Sequence, residues 1–591
     1  MVALTRGYIK RQKEFKKWIS ASRIRNFINN DCLIDWLNLY GSSSGYIKDN
    51  LRKGYNKNFN FTTFIMKQGV DFENEIVRLI SEKCGSDLVC SQGGLSSESL
   101  EETAGEMRKG RPIIYHGVLC NEIKKSYGIP DLLIRSDYFE NIFNFKPDLV
   151  NQGCKFNKNW HYKVVDIKFS TFFVGRDYIV NSGSVPIYKA QLAIYNEALA
   201  TMQNYKPNDA YLLGRRIRDN FGEYDCFEKL AKVDFNENDK IFIERAEKGI
   251  EWIRKVELEG KGWSIDPKDP NFNSNLYPNM CNTCDYPWHE TKRRVALKNN
   301  EITLLWYCGV KNRTLALESG INSWKDPRIN SEILGISADT QKGELIDKII
   351  KTNKLELSFG MKKVPKEVKH HRSIKEFYLD FETVSDCNDS FLKLPKIDSV
   401  NMVFMIGCGF AEFEGESKGR CLDLESEGKW KFKNFTTDKL TIECEREIYK
   451  EWIDFMNLFP EKKIIYHWGD AETIQYNKLV ERHTDVKPLK NCQFVNLYKV
   501  FVDNKITIPG CYNFKLKEVS RALFNLGMIK TIWSSSCVDG MGAMVAAWKC
   551  NETEFKLPRI NVIKDVSDYN EIDCKVTFEI VKLLRKKLLS C

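Results

Sequence analysis

In the segment YKVVDIKFS (162 to 170) the two-residue period of a strand places Asp166 and Lys168 on one face and Val165, Ile167 and Phe169 on the other. A carboxylate beside an ammonium on so apolar a strand is costly to bury unless the two pair with each other or hold a metal. Upstream, Pro130 and Asp131 open the strand-like run IPDLLIRS, and downstream Gln191 and Tyr195 share a helix face at i, i+4. Asp131, Asp166 and Lys168 form a set that phosphodiester hydrolysis can use. Two carboxylates hold Mg2+ or Mn2+ through oxygen, and a lysine orients water and offsets charge on the pentavalent phosphate. A structural ion pair is the alternative for Asp166 and Lys168 taken alone. A second constellation starts in EFYLDFETVSD, where Asp380 and Glu382 project from one strand face and Leu379 and Phe381 from the other. Glu472 follows an apolar strand, Ile464 to Tyr466, at the start of a helix, with Asp470 as the alternative third carboxylate. Tyr569 and Asp573, again at i, i+4, point the same way from a helix whose apolar face is Val576, Phe578, Ile580 and Leu583.

The combination of G-x-x-x-E (Gly69 to Glu73), Pro130-Asp131, Asp166-Ile167-Lys168 and Gln191 to Tyr195 resembles the motif set of RecB-type PD-(D/E)XK nucleases, over roughly residues 15 to 290. The resemblance implies that Asp131 and Asp166 ligate a divalent ion and that Lys168, Gln191 and Tyr195 serve catalysis. It makes Glu73 a further ligand, at a place where many members carry histidine and others an acidic residue. Some members clamp this domain with an iron-sulfur cluster, using one cysteine before it and three after. Here Cys32, Cys281 and Cys284 match, and His289 stands near the place of the absent fourth ligand, with Cys308 as a substitute. Three thiolates and an imidazole suit Zn2+, and could also hold a [4Fe-4S] cluster. Joining residues about 250 apart would remove chain entropy as a disulfide does, in a reducing compartment. The alternative is that Cys32 is a small core residue and the CxxC holds nothing. The series Asp380, Glu382, Glu472, Tyr569, Asp573 resembles the DEDD exonucleases of RNase H-like fold, in the subgroup ending in Tyr-x-x-x-Asp and with Glu in the second motif. That resemblance implies two divalent ions on Asp380, Glu382 and Asp573, support from Glu472, and an attacking water positioned by Tyr569. Between these motifs, FVNLYKVF and LKEVSRAL are similar to intervening segments of the same enzymes, with Asn496 where aspartate is common. The whole order resembles a class of fused RecB-type and YprB-like nucleases.

These side chains need particular elements beneath them. Apolar positions at helical spacing predict a helix over 60 to 86, strands over 129 to 136 and 162 to 170, and a helix over 187 to 202. The Pro-, Asn- and Asp-rich stretch 261 to 290 reads as a loop, and 293 to 360 as a short helical hairpin, either a spacer or a contact to a nucleic-acid backbone. The charged run MKKVPKEVKHHRS (361 to 373) reads as a linker, and a second α/β pattern follows it. The expected class is α/β (α+β): a restriction-endonuclease-like PD-(D/E)XK core, a small helical section, then an RNase H-like domain. The expected domains are 1–275, with a basic N-terminal segment, a cysteine/histidine metal loop 276–292, a helical section and linker 293–372, and an exonuclease-like domain 373–591.

At 591 residues the chain is too long for one core, and its 42% hydrophobic and 29% charged content is that of a globular protein rather than a disordered one. No apolar run reaches the length of a bilayer span, the longest lying around Met402 to Phe410, so no membrane partner is expected. The 19 cysteines are scattered and odd in number, and no apolar export signal opens the chain, which predicts reduced thiols and an intracellular, cytoplasmic or nuclear, location. A net charge of +10 is compatible with nucleic acid without demanding it. Eight Lys or Arg stand against one Glu in residues 1 to 25, and Tyr8, Phe15 and Trp18 among them could stack on unpaired bases or serve as core. The functional expectation is a Mg2+- or Mn2+-dependent exonuclease on DNA ends or flaps in repair, recombination or replication, with RNA as the second substrate. The alternative is a nucleic-acid-binding scaffold or a subunit of a helicase-nuclease. No GxxxxGK[ST] phosphate loop is present, so a helicase would be a separate protein.

Overall fold

The computed structural model describes residues 15–586 apart from 54, 149–151, 177, 356–363, 370–373, 398, 413–428, 534–538 and 552–558. Tyr8 with most of the basic N-terminal segment, and most of the run 361–373, lie outside the described residues. The described residues are mixed α/β, with two large sheets and a small three-stranded one formed by Ile19–Ser20, Ser126–Gly128 and Leu119–Asn121.

The first sheet contains β1 (Leu88–Cys90), β2 (Ile113–Tyr115), β3 (Leu132–Arg135), β4 (Tyr162–Phe173), β5 (Asp209–Arg218) and β6 (Ala231–Asp234), in the spatial order β6-β5-β4-β3-β2-β1. A seventh strand, Glu223–Asp225, pairs antiparallel with the end of β5. The β2-β3, β3-β4 and β5-β6 pairs are antiparallel, whereas β1-β2 and β4-β5 are parallel. Helix α1 (Phe61–Cys84) covers one face through Phe72, Ile76 and Ile80, which pack with Val165 and Ile167 of β4. Helices α2 (Val185–Gln203) and α3 (Ile241–Glu259) cover the other, where Val164 lies. β4 is thus apolar on both sides, as a central strand must be, and its alternation selects which side chains reach the α2 face. Helix α2 carries β4 over to parallel β5, the crossover that a parallel pair requires. Phe15 and Trp18 are buried and meet edge to face, which makes them core residues.

The second sheet contains β7 (Ile374–Val384), β8 (Met402–Glu412), β9 (Lys429–Thr436), β10 (Lys462–His467) and β11 (Cys492–Asn496), in the order β9-β8-β7-β10-β11. The first three strands run antiparallel, and β10 and β11 join in parallel. Phe377, Leu379 and Phe381 pack against helix α7 (Ile442–Asn457) on one face. The alternate residues Tyr378, Asp380 and Glu382 face helix α11 (Arg559–Lys586), which packs Val576 and Ile580 beside Tyr378.

Along the chain, α4 (His289–Lys298), α5 (Val310–Glu318) and α6 (Gln341–Lys354) come between the two large sheets. Residues from Ile302 to Val368, including buried Trp324, Leu345 and Ile349, share one apolar cluster with Tyr466, Phe501 and Ile580 of the second unit. The middle section is core there, where the sequence left a spacer or a backbone contact open. Val364 and Val368, within the run read as a linker, are buried in the same cluster.

Candidate metal centres

The antiparallel pairing of Leu132 with Val165 brings Asp131, one residue earlier, opposite Asp166, one residue later. Both are buried, and Asp131 Oδ2 accepts a 2.6 Å hydrogen bond from the Ile167 amide. The Lys168 ammonium lies 2.5 Å from Asp166 and 3.6 Å from Asp131. Asp166 is thus served only by this ammonium and the Asp131 carboxyl beside it, so its buried oxygens keep lone pairs that a metal ion could use. Burial and the neighbouring Asp166 charge push the Asp131 carboxyl well above its ordinary range, with Lys168 only partly offsetting them. Burial opposes the Lys168 charge, but the two aspartates outweigh it and raise its pKa. On α2, Gln191 donates to the Tyr195 hydroxyl. The Tyr195 ring lies so close to Gly128 that a Cβ there would sit 2.1 Å from it, which explains a glycine two residues before Pro130.

Glu73, on α1, approaches this pair together with a residue that the sequence motifs did not single out. His116 follows β2 with a left-handed backbone, φ +54°, and its Nε2 lies 2.8 Å from Glu73 Oε1, which also accepts from the Tyr115 hydroxyl at 2.9 Å. Glu73, His116 and Asp131 place ligand atoms within 4.8 Å of one another. Burial raises the Glu73 pKa, but the hydrogen bonds from His116 and Tyr115 outweigh it and lower the net value. Glu73 is therefore a carboxylate at neutral pH. Only the unusual φ marks His116, and a backbone angle leaves no trace in residue spacing; the scarcity of histidine, seven in the chain, was the available signal.

The second centre gathers Asp380, Glu382 and Asp573, again within 4.8 Å of one another. All three are raised, first by burial: Asp380 well above its ordinary range, Glu382 up to about 8, and Asp573 up to about 7. Tyr569, buried, hydrogen-bonds Asp573 one helical turn away. Glu472, buried at the start of α8 (Ala471–Arg482), lies outside the tight group, but its charge raises both Asp380 and Asp573. Its Oε2 is 3.3 Å from His467 Nδ1. Asp470, the alternative third ligand, turns away to Lys499 at 2.7 Å and to the Asn496 amide at 3.0 Å. Asn496 in turn caps the short helix Leu497–Asp503, a structural task that asparagine performs as well as aspartate.

Two further residues belong to this centre. Asn570 is fully buried, and its Nδ2 donates to Asp380 Oδ2 at 2.6 Å. It fits because Gly407 is the β8 partner of Asp380; a Cβ at 407 would lie 1.6 Å from the Asn570 side-chain oxygen. Lys517, at the start of α9 (Leu516–Asn525), stands 4.7 Å from the centre of the Tyr569 ring, and its charge lowers the pKa values of Glu382 and Asp573. Neither neighbours a strand motif in a way that spacing reveals.

Cys32, Cys281, Cys284 and His289 do not form a group of three donors within 4.8 Å among the described residues. Cys32 is buried in the core of the first unit, where burial pushes its thiol well above the ordinary value. The Cys281 thiol donates to the Cys308 carbonyl at 3.3 Å, and His289 Nδ1 lies 3.0 Å from Asp285. The two ends of the first unit are tied instead by Lys292, whose fully buried ammonium lies 2.9 Å from Asp31 and 2.5 Å from Asp285, with the carbonyls of Asn279 and Asn282 completing its shell.

No protein-family model and no curated protein matches the chain. No helix among the described residues is long and apolar enough to cross a membrane.

Proposed function

We propose that this protein is a metal-dependent nuclease with two active centres that hydrolyse phosphodiester bonds, acting on DNA ends or flaps, with RNA as the second choice. The observation that carries the proposal is that two groups of ligand-type side chains, Glu73, His116 and Asp131 beside Asp166, and Asp380, Glu382 and Asp573, come together from distant parts of the chain around the central strands of the two large sheets. A RecB-type PD-(D/E)XK reading of the first centre is supported by Asp131, Asp166 and Lys168 meeting on two adjacent strands beside Gln191 and Tyr195. An RNase H-like DEDD reading of the second is supported by an acidic pair on the central strand of a five-stranded mixed sheet, under a helix that carries Tyr569 and Asp573.

Both donor sets are all or mostly oxygen, which suits Mg2+ or Mn2+ better than a soft metal. Asp131 and Asp166 with Glu73 would hold such an ion at the first centre, and Asp380, Glu382 and Asp573 at the second. Bound there, it would supply positive charge against that developing on the phosphate. Lys168 keeps its proton and presents a fixed ammonium to a phosphate oxygen or to the attacking water. Gln191, bonded to Tyr195, holds that hydroxyl next to the acidic pair. At the second centre Tyr569 orients a water through its hydroxyl, Asn570 fixes the Asp380 rotamer, and Lys517 offsets charge beside Glu382 and Asp573. DNA and, through other proteins, a separate helicase are the partners this reading calls for.

The test is cleavage of end-labelled single- and double-stranded DNA and RNA with Mg2+, Mn2+ or EDTA. Lys168→Ala should remove one product pattern and Asp380→Ala/Glu382→Ala another, each by about a hundredfold or more. Full activity in EDTA, or patterns unchanged in both variants, would refute it.

A further inference from the structure

Away from both carboxylate centres, a cleft of about 570 Å3 opens between the N-terminal helical segment, the loop after α3 and one face of α4. That volume is in the range of pockets that enclose a small ligand. Its lining divides by chemistry. Trp36, Tyr46 and Trp263 supply aromatic surface. Trp36 is buried as a floor, its indole N–H spent on the Gly260 carbonyl at 2.8 Å, and Trp263 is half-buried, backed by Trp252 at 5.6 Å between ring centres. Trp263, and Tyr46 set edge-on against Trp36 at 6.1 Å between ring centres, are thus held before any ligand arrives, so stacking on them costs little ordering.

The opposite wall, along α4, carries two cations, while Asp266 and Asp269 stand on the loop side of the same cleft. In α4, Thr291, Arg294, Val295 and Lys298 recur at helical spacing and turn one face to the cleft. The side chains of Arg294 and Lys298 are 65% and 72% exposed, and their partners, Glu290 and Asp266, hold them only in surface pairs at 3.1 Å. Such pairs are weak, so a phosphate dianion can take either cation over. Arg52, by contrast, is occupied by the Thr291 hydroxyl and the Ile47 carbonyl and shapes the wall.

From this juxtaposition of fixed aromatic faces with two loosely held cations, we propose that the cleft binds a nucleoside phosphate, base against Trp263 and Tyr46, phosphate against Arg294 and Lys298. The site is separate from the two centres of the nuclease reading and does not require them. The nucleotide is either free or the phosphorylated end of a strand, since both present the same base and phosphate.

The probes are AMP, adenosine and a 5′-phosphorylated oligo(dT), each titrated into the full-length protein in EDTA and followed by tryptophan fluorescence and equilibrium dialysis. Saturable AMP or oligonucleotide binding is expected at or below about 1 mM, with adenosine about tenfold weaker than AMP. AMP bound without the oligonucleotide identifies free nucleotide as the ligand; oligonucleotide bound and displaced by AMP identifies a strand end. Arg294→Glu/Lys298→Glu should weaken binding about tenfold or more, as should Trp263→Ala, while Asp166→Asn and Asp380→Asn leave it unchanged. The charge-reversal variant alters only exposed side chains, so it remains informative if Trp263→Ala fails to fold. Absence of saturable binding of both nucleotide probes to wild type, or unaltered binding in Arg294→Glu/Lys298→Glu, overturns the proposal.

Discussion

Lys168 and Lys517 give the two centres different proton chemistry. Lys168 sits within 4 Å of both aspartates of the first centre, whereas Lys517 acts on Glu382 and Asp573 without displacing the effect of burial. Glu382 at about 8 and Asp573 at about 7 both stand above their ordinary carboxyl values, so the folded chain binds protons that the unfolded chain has released. A raised carboxyl contributes stability that is complete below the unfolded value near pH 4 and lost as pH rises through the folded values. The metal-free protein should therefore lose melting temperature between pH 6 and 8.5. Asp573→Asn, which removes one titrating group, should flatten that loss, and Mn2+ at pH 8.5 should restore the wild type more than the variant. Differential scanning fluorimetry reads all three; a flat wild-type profile would contradict the proton assignment.

At the scale of elements, the sites depend on close approaches that only glycine permits. Gly407→Ala must displace Asn570, and with it the hydrogen bond that holds Asp380. It should cost about 1–3 kcal/mol in chemical denaturation and remove the second product pattern while sparing the first. Lys292→Ala leaves Asp31 and Asp285 buried without their cation and should cost roughly 3–5 kcal/mol in the same measurement. Helices α1, α2 and α11 and strands β4 and β7 were legible in the sequence from their apolar periodicity, which puts Asp166 with Lys168 and Asp380 with Glu382 on shared strand faces, whereas Glu73 was reached only through the family resemblance. What period cannot reveal is a partner brought by register. His116 reaches Glu73 through a backbone turn, and Asn570 reaches Asp380 through a gap at Gly407. Lys292 stands in HETKRRVALK beside other basic residues of like appearance, and only its burial against Asp31 and Asp285 distinguishes it.

Across the whole molecule, the two halves meet where their centres lie. The segment after β7 lays Phe391 against Phe72 and Phe169, at 5.6 and 5.5 Å, which are the sequence neighbours of Glu73 and Lys168. Asp386 accepts from Arg215 and Arg216 at 2.8 Å each, and Phe64 of α1 stacks on Trp548 of α10 (Gly540–Asn551). Phe391→Ala should remove about 3–5 kcal/mol of stability and reduce first-centre products while second-centre products persist in the same reaction. The most direct measurement is a Mn2+ titration, followed by electron paramagnetic resonance, of wild type, Asp131→Asn/Asp166→Asn and Asp380→Asn/Asp573→Asn. Two groups of oxygen ligands predict that each pair of substitutions removes its own class of bound Mn2+ and leaves the other intact. Equal Mn2+ uptake by all three proteins would contradict the account.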